Sequence, residues 1–166
     1  MKMNNIVAVC PGSYDPVTKG HEDIVRRAAD LFGNVCVVVC ENKSKRGMFT
    51  SEERLGLCEK VFADDPRIKV AAYDGLVVDF CKKIGAKVLV KGVRNSVDYE
   101  YEANIANIND RLSEYGVETV MLASRPELCY VSSSAVRELL SFGADVSDYV
   151  SEKIINDIRK KYSEEV

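Results

Sequence analysis

The chain contains a single histidine, His21, and it closes a segment dense in turn formers and hydroxyls: Cys10-Pro-Gly-Ser-Tyr-Asp-Pro-Val-Thr-Lys-Gly-His21. Pro11-Gly12 follows a short apolar run over residues 6–10 and is expected to break a strand at its C-terminal end. Ser13 can then turn its hydroxyl or N–H into a ligand crevice, and Asp15-Pro16 shapes a second bend. Thr18-Lys19-Gly20-His21 opens a helix, with Gly20 removing a side chain where a ligand could approach the backbone. His21 falls in the first turn, beside N–H groups that have no intrahelical partner. A donor-rich site at the positive end of a helix suits an anionic phosphate. On its own the segment supports a phosphate-binding turn, and its histidine can also be read as a structural residue.

Three further segments carry chemistry-bearing side chains. Ser132-Ser133-Ser134-Ala-Val-Arg137 starts a helix with three hydroxyls, which reads as a well-capped helix or as an anion nest. Lys43-Ser44-Lys45-Arg46-Gly47-Met48-Phe49-Thr50 is a basic loop leading into a helix, and a solvated turn is its plain alternative. The run from Lys91 to Glu102 places Gly92 and Arg94 just after a strand, where a ligand crevice would lie.

The elements that must position these residues alternate regularly. Strand-length apolar runs are expected over 6–10, 35–40, 68–72, 88–90 and 119–122. The run over 35–40 is almost wholly apolar, as for a strand buried on both faces. Helices are expected over 21–31, 50–61, 76–84, 98–115, 132–142 and 151–162. The first would bury Ile24, Val25, Ala28 and Leu31, and Thr50 with Glu53 offers a capping box for the second. Gly85, Gly116 and Gly143 are expected helix stops, and residues 163–166 a frayed tail. Five strand-helix alternations predict an α/β fold: a five-stranded parallel sheet with helices on both faces, in one domain over 1–166. Ligands of such sheets bind outside the C-terminal ends of the strands.

Composition narrows the class. The 166 residues carry 46% hydrophobic and 30% charged residues with a formal net charge of -3. That balance speaks against a nucleic-acid coat and against a polybasic membrane binder. No apolar run approaches the roughly 20 residues of a membrane helix. The polar start and the absence of a small-residue cleavage site speak against a signal peptide, so the expected location is the cytoplasm. Six cysteines without a Cys-x-x-Cys pair, and one histidine, make a zinc site unexpected and read as small buried hydrophobes.

Gly-Ser-Tyr-Asp-Pro-Val-Thr-x-Gly-His closely resembles the Thr/His-x-Gly-His signature of the nucleotidylyltransferase superfamily, whose members share a Rossmann-like sheet. Val131-Ser132-Ser133-Ser134-x-x-Arg137 resembles its Ile-Ser-Ser-Thr/Ser-x-x-Arg motif. With the 43–50 loop and the segment from Lys91 to Glu102, the resemblance narrows to the bacterial phosphopantetheine adenylyltransferases and covers nearly the whole chain. It implies adenylyl transfer from ATP to 4'-phosphopantetheine, giving dephospho-coenzyme A and pyrophosphate. Magnesium is expected on the triphosphate, with no protein-built metal site. A homohexamer is implied, as is coenzyme A as a pathway inhibitor.

Residue by residue, the resemblance makes His21 the group that binds the α-phosphate and stabilises the transition state. Lys45 would hold the acceptor and the reacting phosphate. Ser13, Val77 and Lys91 would contact the acceptor. Ser13, Tyr14 and His21 would line the ATP site with Gly92, Val93, Arg94 and Glu102. Leu128, Cys129, Tyr130 and Val131 would border adenine and the phosphates, followed by Ser132, Ser133 and Ser134. Two departures stand out: Lys91 replaces a frequent arginine, keeping the charge and losing the bidentate fork, and Cys10 replaces a frequent aromatic. Two alternatives stay open: transfer to a different phosphorylated acceptor, and a nucleotide-binding module without turnover; a flavodoxin-like domain with incidental serines would not explain two matched motifs at two strand ends.

Overall fold

The computed structural model describes residues 6–41, 47–114 and 116–165. The sheet consists of β1 (Ile6–Gly12), β2 (Gly33–Cys40), β3 (Ile68–Tyr73), β4 (Val88–Val93) and β5 (Glu118–Ala123). All are parallel, in the order β3-β2-β1-β4-β5. The helices are α1 (Lys19–Phe32), α2 (Ser51–Phe62), α3 (Val77–Ile84), α4 (Ser96–Leu112), α5 (Ser133–Ser141) and α6 (Ile155–Glu165). The expected α/β architecture is therefore present. Chain order reverses between β1 and β4, and a crevice opens there at the C-terminal strand ends.

β2 explains the two-layered core. Val35, Val37 and Val39 pack into the cluster under α1, α2, α5 and α6, while Cys36 and Val38 face the cluster under α3. The first cluster is the larger, closed by Phe62, Val136, Ile154 and Ile158. The second holds Val9, Phe80, Cys81 and Leu89, and α4 beside it has no buried residue at all.

Several boundaries differ from the sequence expectation. β1 runs through Pro11 and Gly12, which pair with Val38 and Val39. The β1–β4 register covers only Ala8 and Val9, so the strand end has an open side where a proline without an N–H is tolerated. In α1 the buried stripe is Ile24, Val25, Ala28 and Ala29, and Leu31 lies past its edge at 63% exposure. α4 starts earlier, because the Asn95 side chain accepts from the Asp98 N–H at 2.9 Å. It stops at Ser113, before Gly116: Glu114 turns to φ 57, and the Ser113 hydroxyl accepts from the Val117 N–H. α6 begins at Ile155 rather than 151 and continues to Glu165, past the expected end at 162, and residue 166 of the expected tail lies outside the described residues. Among the described residues no helix is long and apolar enough to cross a membrane.

Candidate active site

α1 begins with a reciprocal cap. The Thr18 hydroxyl accepts from the His21 N–H at 3.4 Å, and His21 Nδ1 accepts from the Thr18 N–H at 3.1 Å. Because Nδ1 takes a backbone N–H, its lone pair is occupied, and the proton of the neutral ring sits on Nε2. The ring is half-buried and meets Tyr14 edge to face, with centroids 5.0 Å apart. Tyr14 is buried, holds φ 50 and donates its hydroxyl to the Cys10 carbonyl at 2.8 Å. Burial first, then the positive charges of Arg94 and Lys91, pushes the His21 imidazole down to about 4. The ring is thus neutral near pH 7 and presents an Nε2–H donor.

α5 supplies a second helix start. The Ser132 hydroxyl caps it by accepting from the Ala135 N–H at 3.1 Å. Ser133 Oγ donates to the Pro16 carbonyl at 2.8 Å, and Ser134 Oγ accepts from Arg137 at 3.2 Å. The Ser132 hydroxyl thus bears out the cap reading, and the first-turn N–H groups of Ser133 and Ser134 have no partner within the helix. Arg137 also donates to the Asp15 carbonyl, which joins the two signature segments.

These elements wall a cleft of about 530 Å3. His21, Gly20, Ser13 and Tyr14 come to it from the β1 end, Lys91, Gly92, Arg94 and Glu102 from the β4 end, and Leu128 and Val131 to Ser134 from the α5 start. A methyl at Gly20, which lines the cleft, would make only ordinary contacts with Thr18 and Val131. Gly92 is glycine for packing: a Cβ there would lie 2.9 Å from Ile24 Cγ1. Val93, Cys129 and Tyr130 do not line this cleft. Val93 ends β4, Tyr130 is exposed with its ring against Tyr149, and the Cys129 thiol faces the Arg125 carbonyl at 3.4 Å.

A second cleft, of about 750 Å3, adjoins the first. Val77 and Leu76 line it from the start of α3, Cys40 from β2, and Ile105, Ala106 and Asn109 from α4. Pro11, Gly12, Ser13, Lys91 and Glu102 belong to both clefts and form their shared wall. On that wall Lys91 Nζ lies 3.2 Å from Glu102 Oε1. Arg94 pairs with Asp98 at 2.7 Å, which raises the guanidinium pKa and lowers that of the carboxyl. The α4 lining was readable as a stripe, since Glu102, Ile105, Ala106 and Asn109 recur at helical spacing. The Thr119 hydroxyl at the base of this cleft is buried without a partner.

Lys45 lies outside the described residues. The chain beyond it is anchored to the site, for the Asp15 carboxylate accepts the N–H groups of Met48 and Phe49 at 3.0 and 2.9 Å. Cys10 is buried in the first cleft's floor, and burial pushes its thiol up to about 12, so it packs as a neutral side chain.

Residues 9–139 match a family model described as Cytidylyltransferase-like. A phosphopantetheine adenylyltransferase of Lachnoclostridium phytofermentans is 46% identical over 157 residues, 95% of this chain and 96% of that protein. One from a Nocardioides species is 51% identical over 143 residues, 86% of this chain and 89% of that protein. One from Staphylococcus carnosus is 39% identical over 160 residues, 96% of this chain and 99% of that protein. At this identity and coverage, with both signature segments meeting in one cleft, the chain belongs to the phosphopantetheine adenylyltransferase family.

Proposed function

We propose that this chain transfers the adenylyl group of ATP to 4'-phosphopantetheine, releasing pyrophosphate and forming dephospho-coenzyme A, a late step of coenzyme A synthesis. One observation carries the reading: two clefts of different character share a wall at Ser13, Lys91 and Glu102. The first offers helix-start donors for a triphosphate. The second is largely apolar along Val77, Leu76 and Ile105, with Asn109 on its lining available to an amide-bearing arm.

An oxygen of the acceptor phosphate attacks the α-phosphorus in line. The new O–P bond forms as the bond to the β-phosphate oxygen breaks and the pyrophosphate anion leaves. The attacking oxygen is already anionic, so no general base is required. Catalysis lies in alignment and in placing donors where charge spreads over the equatorial oxygens. His21 donates Nε2–H to an α-phosphate oxygen, Ser13 and Lys91 hold the acceptor phosphate, and Lys45 holds the acceptor and the reacting phosphate through their oxygens. Arg94 and the N–H groups of Ser133 and Ser134 receive the outer phosphates.

Magnesium fits this arrangement as an ion carried by phosphate oxygens. The first cleft's carboxylates, Asp98 and Glu102, are each engaged by a cation. When bound it neutralises charge on the triphosphate. Assembly into a homohexamer is supported by α4, where Val97, Tyr101, Ile108 and Leu112 are exposed. Six free cysteines suit the reducing cytoplasm. Coenzyme A, which contains the pantetheine arm, would inhibit by occupying the same second cleft.

The deciding assay combines ATP, magnesium and 4'-phosphopantetheine and detects dephospho-coenzyme A by mass. Product with this acceptor and not with other phosphorylated acceptors is expected. Turnover only with a different acceptor, or ATP binding without turnover on any, would overturn the proposal.

A further inference from the structure

Arg54 stands inside α2 and is buried, with 7% exposure. Its Nη1 donates to the carbonyl oxygens of Ser13 at 2.7 Å and Cys40 at 2.9 Å. Ser13 follows β1 directly and Cys40 ends β2, so one nitrogen ties together the C-terminal ends of two neighbouring strands. Arg54 lines neither cleft, whereas Cys40 lines the second alone and Ser13 stands on the wall that both share. Its Nε is buried with no hydrogen-bond partner. A buried guanidinium with one donor unmatched costs stability, and an apolar side chain would fill that space at less cost. The position therefore asks for a role beyond packing.

We propose that Arg54 is a positioning residue of the acceptor cleft: it fixes the spacing of the β1 and β2 ends that support the acceptor phosphate, and holds a positive charge behind them. The tie is answered from the other side. Asp15, two residues after Ser13, grips the Met48 and Phe49 N–H groups just before α2. The 13–15 segment and the start of α2 are thus bound reciprocally, each by a charged group of one on the backbone of the other. The charge also reaches the cleft, for Arg54 and Lys91 both oppose the upward effect of burial on the Cys40 thiol.

The inference rests on reading the second cleft as the acceptor site, and its test separates the two. Steady-state kinetics would be paired with calorimetric binding of ATP and of 4'-phosphopantetheine. Arg54→Met is expected to raise the acceptor KM about tenfold or more while leaving ATP affinity within about twofold. Arg54→Lys, which keeps the charge and a donor, is expected within about threefold of the parent for the acceptor. An unchanged acceptor KM in folded Arg54→Met overturns the role. So does equal loss of both affinities, the mark of a merely structural residue, or an Arg54→Lys as defective as Arg54→Met. If Arg54→Met does not fold, Arg54→Gln is read by the same split. A parent chain that turns over no 4'-phosphopantetheine would sink the acceptor reading itself, whereas a competent parent matched by Arg54→Met would sink only Arg54.

Discussion

The two clefts share one wall and are built in opposite ways. The first rests on the larger core cluster and takes its donors from two capped helix starts, Thr18 with His21 and Ser132 with Ala135. Its dipoles are fixed before any ligand arrives, as a transition state of spreading negative charge demands. The second is lined by α3, whose Leu76 cap makes no side-chain hydrogen bond, and by α4, which buries nothing. It offers apolar area and a few polar groups. Two adjoining clefts can thus differ in how their polar groups are set, by reciprocal helix caps on one side and by helix side chains on the other.

Substitutions can break or sharpen that contrast. His21→Ala removes a fixed donor of the first cleft and is expected to lower kcat by about 10^2–10^4, or roughly 3–5 kcal/mol of transition-state stabilisation. Near-normal turnover in a folded variant would remove His21 from the mechanism. Lys45→Ala is expected to lower kcat and acceptor affinity by about tenfold or more with ATP affinity nearly intact. Titration calorimetry showing the reverse order would contradict its assignment. Gly92→Ala drives a methyl toward Ile24 and should cost about 1–3 kcal/mol in denaturant unfolding. In the second cleft Val77→Ala should raise only the acceptor KM, by a few-fold, for about 1 kcal/mol of lost apolar contact. An equal effect on ATP would mean that the clefts are not separable.

The first cleft also predicts a pH dependence. His21 in the folded, ligand-free chain titrates at about 4 against an ordinary 6.5. Between those values the unfolded chain binds the proton and the folded chain does not, so stability falls as pH drops from 6.5 toward 4. His21→Ala should flatten that part of the curve in ligand-free protein, measured by thermal unfolding across pH. An unchanged slope would place the acid sensitivity elsewhere.

Much of this was legible in the sequence because local chemistry decided it. The Thr50–Glu53 cap, the Gly85 stop and the all-apolar β2 follow from rules acting within a few residues. What escaped depends on partners distant in sequence or on competition between neighbours. Nothing local said that Ser113, with its hydroxyl on Val117, would end α4 ahead of Gly116. Pro11 read as a strand breaker until the short β1–β4 register left its side open. In the site, the described positions matched by resemblance largely line the first cleft, Val77 lines the second, and Val93, Cys129 and Tyr130 line neither. Arg54 and Asp15 escaped because their partners are backbone groups, which no side-chain pattern advertises.

The cap that joins Thr18 to His21 has a practical consequence. With one imidazole in the whole chain, a nitrogen NMR spectrum of the ring would hold a single pair of signals. Nδ1 is expected at the shift of an unprotonated, hydrogen-bonded nitrogen and Nε2 at that of a protonated one. The pair would report whether the first turn of α1 is wound, since the tautomer is set by the backbone of residue 18. A movement of the Nε2 signal on adding nucleotide would time the arrival of phosphate at that turn. The molecule carries a built-in gauge at the point where folding and chemistry meet.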